Sequence, residues 1–276
     1  MIDDIATAMR RQETSEFKLG PQSFTRAGAL QPELLITLLL YMVGDGGRRG
    51  YRHLLSAFWD EAKDRGVRLP TDQPVSAAAF FNARNKLKPA AIRSLLHSTV
   101  DAFAQQHGAS HRFRGRRVFA VDGAKVCVQR SRALWAEFGG PADGPTPQIM
   151  ITTLLDVIAK LPIDATVSPF RSSERDQLAD LTARLSTGDV LVLDRGYPSY
   201  EVVAMLMERH LDFVVRVPTT SHFPAVDDFV NSSRDEAEVM LVPPRYSSVR
   251  GQGPFVVRAT NAASESTNAS VAGHVK

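Results

Sequence analysis

The spacing of apolar residues changes near residue 118 and divides the chain in two. Before that point the apolar positions recur at helical intervals. Gln31 to Val43 predicts a helix, with Pro32 suited to a first-turn position and Glu33 complementing the positive end of the helix dipole. Gly44-Asp45-Gly46-Gly47 ends it, and a second helical stretch runs through Trp59. Beyond the break at Pro70–Pro74, Ser76 to Lys86 reads as helix. Pro89 then opens another helix to about Gln106, on which Leu95, Leu96, Val100 and Phe103 share a face. This predicts an all-helical N-terminal domain over residues 1–110.

From Val118 the pattern becomes short apolar runs alternating with amphipathic segments. Val118 to Val121 reads as a strand that leaves the core at a turn made by Asp122-Gly123, with Lys125 to Gln129 as a hairpin partner. Gln148 to Val157 and Ala165 to Ser168 are further strand-like runs. Ser173-Glu174-Arg175-Asp176 resembles a capping box ahead of Leu178, Leu181 and Leu185 on one helical face. Val190 to Leu193 is a continuous apolar run of the kind buried on both sides of a sheet, and it ends in Asp194. A helix opening at Pro198 and a strand from Phe213 to Val217 follow. Helix alternating with buried strand predicts an α/β layer with a central sheet over residues 111–217. Residues 218–260, with Pro224, Pro243, Pro244 and Pro254 among short apolar runs, read as β-rich. Residues 261–276 are small and polar and read as a disordered tail.

Composition narrows the chemistry. The 276 residues contain one cysteine, which excludes an intramolecular disulfide framework and a zinc site built on cysteines. The longest apolar run, Leu34 to Val43, is too short to span a bilayer, and Met1-Ile2-Asp3-Asp4 lacks the pattern of a secretory signal. A soluble, cytoplasmic protein with no membrane association is expected. The net charge of +3 conceals an asymmetry: residues 1–117 carry 18 Lys and Arg against 11 Asp and Glu, and residues 118–276 carry 15 against 19. A basic part beside an acidic one is compatible with nucleic-acid binding next to a carboxylate-bearing core, and equally with an ordinary two-domain protein. No Walker loop, dinucleotide fingerprint or histidine metal motif is present.

The two aspartates at strand ends, Asp122 and Asp194, are the candidate chemical groups. Ligands gather at the carboxyl ends of strands in open α/β sheets, and neighbouring strands bring such carboxylates within reach of a shared ion. Hard oxygen ligands without cysteine or histidine favour magnesium or manganese. The competing reading is that each aspartate only forms a turn, completed by Gly123 or Gly196. Arg112, Arg114, Arg116 and Arg117, with Phe113, join the two parts and are candidates for phosphate contact or a solvated linker. Arg195 either touches phosphate or orients Asp194. Cys127, inside a strand-like run, is expected to be a buried small hydrophobe.

Read in order, Val118-Phe119-Ala120-Val121-Asp122-Gly123, Glu137-Phe138-Gly139, Leu154-Leu155-Asp156-Val157, Glu174-Arg175 and Leu193-Asp194-Arg195-Gly196-Tyr197 resemble bacterial insertion-sequence transposases, in particular the fourth insertion-sequence family. Ser76 to Leu87 resembles the helical region ahead of that family's core. The resemblance implies a ribonuclease-H-like core with a mixed central sheet, preceded by an all-helical domain and followed by the start of a β-rich insertion. It also implies metal-dependent DNA strand cleavage and transfer. Asp122 and Asp194 match the first two carboxylates of an Asp-Asp-Glu triad and would hold the divalent metal. The implied partners are terminal inverted repeats, target DNA and a second copy in a synaptic complex. The third carboxylate would lie in a Tyr-x-x-Arg-x-x-x-Glu-x-x-x-x-x-x-Lys helix, and that pattern is absent: Tyr200 is followed by Val203, and Tyr246 by Val249, where arginine is required. The chain reads as ending inside the insertion, with impaired catalysis; the alternative is a non-catalytic DNA-binding fragment that interferes with a full-length relative. Glu201, Glu208, Glu236 and Glu238 are the substitutes available in principle.

Overall fold

A computed structural model describes residues 17–25, 28–44, 49–218, 223–232, 234–261 and 268–273. The chain divides into two compact units, Met1–Ala102 and Phe103–Lys276. The expected boundary at residue 110 lies inside the second unit.

The first unit is helical over its described residues: α1 (Pro32–Gly44), α2 (Tyr51–Asp64), α3 (Ala77–Arg84) and α4 (Ala90–His107), the last running on beyond Ala102. Its core packs Phe17, Leu35, Leu38, Trp59 and Phe80, all essentially without solvent contact. The indole N–H of Trp59 donates to the Thr71 carbonyl at 3.0 Å, so the largest core side chain buries no unpaired donor. Ser76 caps α3 by accepting from the Ala79 amide.

The second unit is built on an eight-stranded sheet: β1 (Val118–Cys127), β2 (Gln148–Asp156), β3 (Leu161–Pro169), β4 (Val190–Leu193), β5 (Asp212–Pro218), β6 (Glu236–Leu241), β7 (Phe255–Asn261) and β8 (Asn268–Gly273). Their spatial order is β3-β2-β1-β4-β5-β8-β7-β6. β1, β4 and β5 run parallel, and the other pairings are antiparallel. The first five strands in this order form the expected ribonuclease-H-like mixed sheet. Short helices connect them: α5 (Arg132–Phe138), α6 (Glu174–Thr182), α7 (Tyr200–Glu208) and α8 (Pro224–Val230). Ser173 and Asp176 form the expected capping box at the start of α6.

Alternation along the strands makes the two faces of this sheet unequal. Phe119, Val121, Leu154, Leu191, Leu193, Phe213 and Val215 are buried together with Leu178 and Leu181 of α6 and Val202, Val203 and Leu206 of α7. The residues between them in the strands, such as Leu155, Val192 and Arg216, remain exposed. The helices therefore cover one face.

Four expectations change. β1 does not turn at Asp122-Gly123: it continues to Cys127 because β2 pairs with it from Phe119↔Asp156 to Cys127↔Gln148, and this ladder carries the chain past the aspartate. Cys127, near the end of this longer strand, is exposed rather than buried. The segment after Pro218 contains helix α8, held by buried Val226 and Phe229, besides its strands. Within the expected disordered tail, residues 268–273 form β8, which pairs with β5 on one side and β7 on the other, so β6, β7 and β8 extend the core sheet. Residues 262–267 and 274–276 lie outside the described residues. Among the described residues no helix is long and apolar enough to cross a membrane.

Candidate active site at the ends of two parallel strands

β1 and β4 pair in parallel as Val118↔Val190, Phe119↔Leu191 and Ala120↔Val192. The same offset brings Asp122 level with Asp194, the first residue beyond β4. Adjacent strands lie about 4.8 Å apart, so the two aspartates start from neighbouring backbone positions. Both are exposed. Asp122 leaves β1 on the side opposite buried Phe119 and Val121, which is the uncovered face. Neither carboxylate has a hydrogen-bond or ion-pair partner among the described residues.

Three interactions tie these strand ends together. After Asp194 the chain turns, and the Tyr197 amide donates to the Asp194 carbonyl at 3.0 Å. The guanidinium of Arg175, in the first turn of α6, donates to the Gly196 carbonyl at 2.8 Å. Its neighbour Glu174 lies against Gly123: a Cβ at that position would stand 2.4 Å from the Glu174 Cδ and 2.6 Å from Oε1. A side chain at Gly123 would displace the Glu174 carboxyl group from this position, and the residue forms no turn.

Tyr197 sits among these groups. It is 1% exposed, and its hydroxyl has no partner of full hydrogen-bond geometry. A weaker contact reaches the Glu174 carboxylate. Burial pushes the phenol well above its ordinary range, followed by the charge and hydrogen bonding of Glu174 and the charges of Asp122 and Asp194. The phenol is therefore neutral at every physiological pH, and it senses all three carboxylates. Glu174 and Tyr197 carry no role in the sequence reading: the packing of α6 on β1 brings Glu174 to Gly123, and the turn after Asp194 carries Tyr197.

The donors at these strand ends are all oxygen, which suits a hard divalent cation. Among the described residues no three Asp, Glu, His or Cys side chains converge as a metal-holding group. Two carboxylates, with water or substrate phosphate filling the remaining positions, is a common arrangement for magnesium.

The basic linker behaves differently from expectation. Phe113 and Arg116 exchange backbone hydrogen bonds of 2.9 and 3.0 Å around Arg114 (φ 50°) and Gly115 (φ 80°), a tight two-residue hairpin turn. Arg116 pairs with buried Asp212. Arg117 grips buried Asp189 in a fork, with Nε to Oδ1 at 2.8 Å and Nη2 to Oδ2 at 2.5 Å. These two arginines are ion-paired at the start of the sheet, in place of the expected solvated linker or phosphate contact. Arg112 and Arg114 are exposed, Arg112 donating to the Gly108 and Gly115 carbonyls. Arg195 is exposed beside Asp194.

The four candidate substitutes for a third carboxylate are placed as follows. Glu201 accepts from Ser247 at 2.8 Å, and this hydrogen bond holds its carboxyl below the ordinary range. Glu236 pairs with Arg258 at 3.1 Å. Glu208 closes α7, and Glu238 is exposed in β6.

The sequence matches none of the curated proteins. Among solved structures it is similar to a piggyBac transposase in a synaptic complex with hairpin DNA, at 14% identity and a TM-score of 0.40 over 97% of this chain and 56% of that one. This chain therefore spans little more than half the length of that relative. Mos1 transposase in a paired-end complex with the left transposon end gives 12% identity and a TM-score of 0.26, covering 74% of this chain and 64% of that one. Endonuclease V of Ciona intestinalis, bound to DNA containing inosine, gives 13% and 0.25, covering 58% and 72%. The family model described as the transposase DDE domain matches residues 113–250, a stretch that contains β1, β4 and both strand-end aspartates. With half of its length matched, the chain belongs to the transposase DDE domain family.

Proposed function

We propose that this protein is a DNA transposase of the insertion-sequence type, with Asp122 and Asp194 holding a divalent cation, magnesium or manganese. The observation that supports this reading is the register: the β1–β4 ladder, continued two residues past its last pair, leads to Asp122 on one strand and to Asp194 just beyond the other, both exposed and both without a hydrogen-bond or ion-pair partner among the described residues. When bound, such a cation activates water and stabilises the leaving oxygen in phosphodiester cleavage. The chain's own residues supply the rest. Asp122 and Asp194 attract the ion and orient it toward the uncovered face, where DNA has access. Tyr197, kept neutral by burial and three nearby carboxylates, acts as a hydrogen-bond donor and never as a base. Arg195 contacts a phosphate beside Asp194, and Arg112 and Arg114 add salt-dependent affinity. The resemblance to the fourth insertion-sequence family supports terminal inverted repeats as the substrate and a second copy as the synaptic partner, in a bacterial cytoplasm.

Because the Tyr-x-x-Arg-x-x-x-Glu pattern is absent from these 276 residues, and no third metal ligand converges among the described residues, we expect strand transfer by this polypeptide to be weak. The same observation favours a second reading, in which the protein binds element ends without cutting them and competes with a transposase that carries the pattern. Incubating the chain with DNA carrying the inverted repeats of its own element, with and without manganese, separates these readings. Manganese-dependent nicking lost in Asp122→Asn supports the first. A salt-sensitive gel shift with no cleavage supports the second. Neither nicking nor preference for the repeats over random DNA refutes both.

A further inference from the structure

The first turn of α6 touches both of the segments that carry the aspartates. Glu174 covers Gly123, the residue after Asp122, closely enough that a single methyl group there would collide with its carboxyl group. Arg175 holds the Gly196 carbonyl, two residues after Asp194, at 2.8 Å. The capping box of Ser173 and Asp176 fixes this turn from below, so its two side chains project from a rigid element. Asp122 and Gly123 are successive strand residues and face opposite sides of the sheet. Glu174 therefore stands across β1 from the Asp122 carboxylate, which explains why the three acids form no direct metal group. The buried Tyr197 hydroxyl lacks a well-formed partner, and its weaker contact is with the Glu174 carboxylate. A buried polar atom without a full partner costs free energy unless another species completes its bonding.

We propose that Glu174, with Tyr197 and Arg175, is a positioning device for the cation site. It fixes the separation of Asp122 and Asp194 and adds a third negative charge from outside the ion's direct ligands. Glu174 acts through its neighbours: it bears on the backbone after Asp122 and holds the Tyr197 hydroxyl of the turn after Asp194. Arg175 sets the turn after Asp194. Gly123 is the complementary feature on β1, because only a residue without a side chain lets the glutamate approach. This inference rests on the proposal that Asp122 and Asp194 bind the cation.

Manganese titration of the full chain by isothermal calorimetry, with thermal melts of the metal-free proteins, tests it. Partners that orient metal ligands from the outer shell are worth roughly 10- to 100-fold in affinity. Glu174→Gln keeps the shape and removes the charge, and it is expected to weaken manganese binding by about tenfold while leaving the metal-free melting temperature nearly unchanged. Tyr197→Phe removes only the hydroxyl and weakens binding by a smaller factor. Glu174→Asp, which restores the charge on a shorter arm, recovers part of the affinity. Wild-type affinity in both Glu174→Gln and Tyr197→Phe, alongside loss of binding in Asp122→Asn, overturns this inference and leaves the two-aspartate reading standing. Failure of the wild type to bind, or full binding by Asp122→Asn, overturns the underlying reading and this one with it.

Discussion

The two ends of the parallel strands treat charge in opposite ways. Where β1, β4 and β5 begin, every acid in the cluster has a cation: Arg117 forks onto Asp189, which precedes β4, and Arg116 meets Asp212 at the first position of β5. Both aspartates there are buried. Where β1 and β4 lead out, Asp122 and Asp194 are exposed, adjacent and without a compensating cation among the described residues. Buried charge survives in a fold only when it is paired, and at the amino ends each buried carboxylate has its guanidinium. Like charges left together at the carboxyl ends contribute nothing to folding. Their arrangement makes sense when a ligand supplies the positive charge.

This contrast can be broken by substitution, and the largest expected effect is on activity. Asp122→Asn or Asp194→Asn should reduce any manganese-dependent nicking of element-end DNA by about a hundredfold or more, because the catalytic geometry loses one of its two anchors. Plasmid relaxation on a gel measures this. Next in size is Arg117→Ala, which strands the buried Asp189 carboxylate. Pairs of this kind cost roughly 3–5 kcal/mol when broken, and the 29% exposure of the Arg117 side chain places this one near the lower end or below it. Urea denaturation should show the loss.

Without metal, Asp122→Asn should leave stability within about 0.5 kcal/mol of wild type or raise it slightly, since it relieves repulsion between neighbouring acids. A loss as large as that of Arg117→Ala would erase the distinction between the two ends. The smallest effect concerns Glu201, an exposed carboxylate hydrogen-bonded by Ser247. Its folded pKa lies below the unfolded value, so its contribution is present above about pH 4.3 and fades as pH falls through the folded pKa. The melting temperature of Ser247→Ala should therefore sit slightly below wild type at neutral pH and converge with it in acid.

Much of this arrangement is legible in the sequence because it is local. The apolar run Val190–Leu193 followed by Asp194 marks β4 and its exit, and Ser173 with Asp176 announces the start of α6. The helical spacing ahead of residue 107 is equally direct. What sequence reading misses depends on partners distant along the chain. Asp122-Gly123 has the chemistry of a turn, but the nine-residue β2 holds it in an extended ladder. Arg116 and Arg117 read as a free basic patch until β4 and β5 bring Asp189 and Asp212 beside them. Glu174 and Gly123, 51 positions apart in the sequence, reveal their complementarity only once α6 lies on β1. β8 emerges from a segment whose small polar residues carry no strand pattern; pairing with β5 and β7 on either side supplies the order.

The most direct test is diffraction from crystals of the chain soaked in manganese, with data collected at a wavelength where manganese scatters anomalously. A single strong anomalous peak lying about 2.0–2.6 Å from a carboxylate oxygen of both Asp122 and Asp194 is the expected result. A fully occupied manganese bound elsewhere, or carboxyl groups of Asp122 and Asp194 too far apart to share one ion, would contradict it.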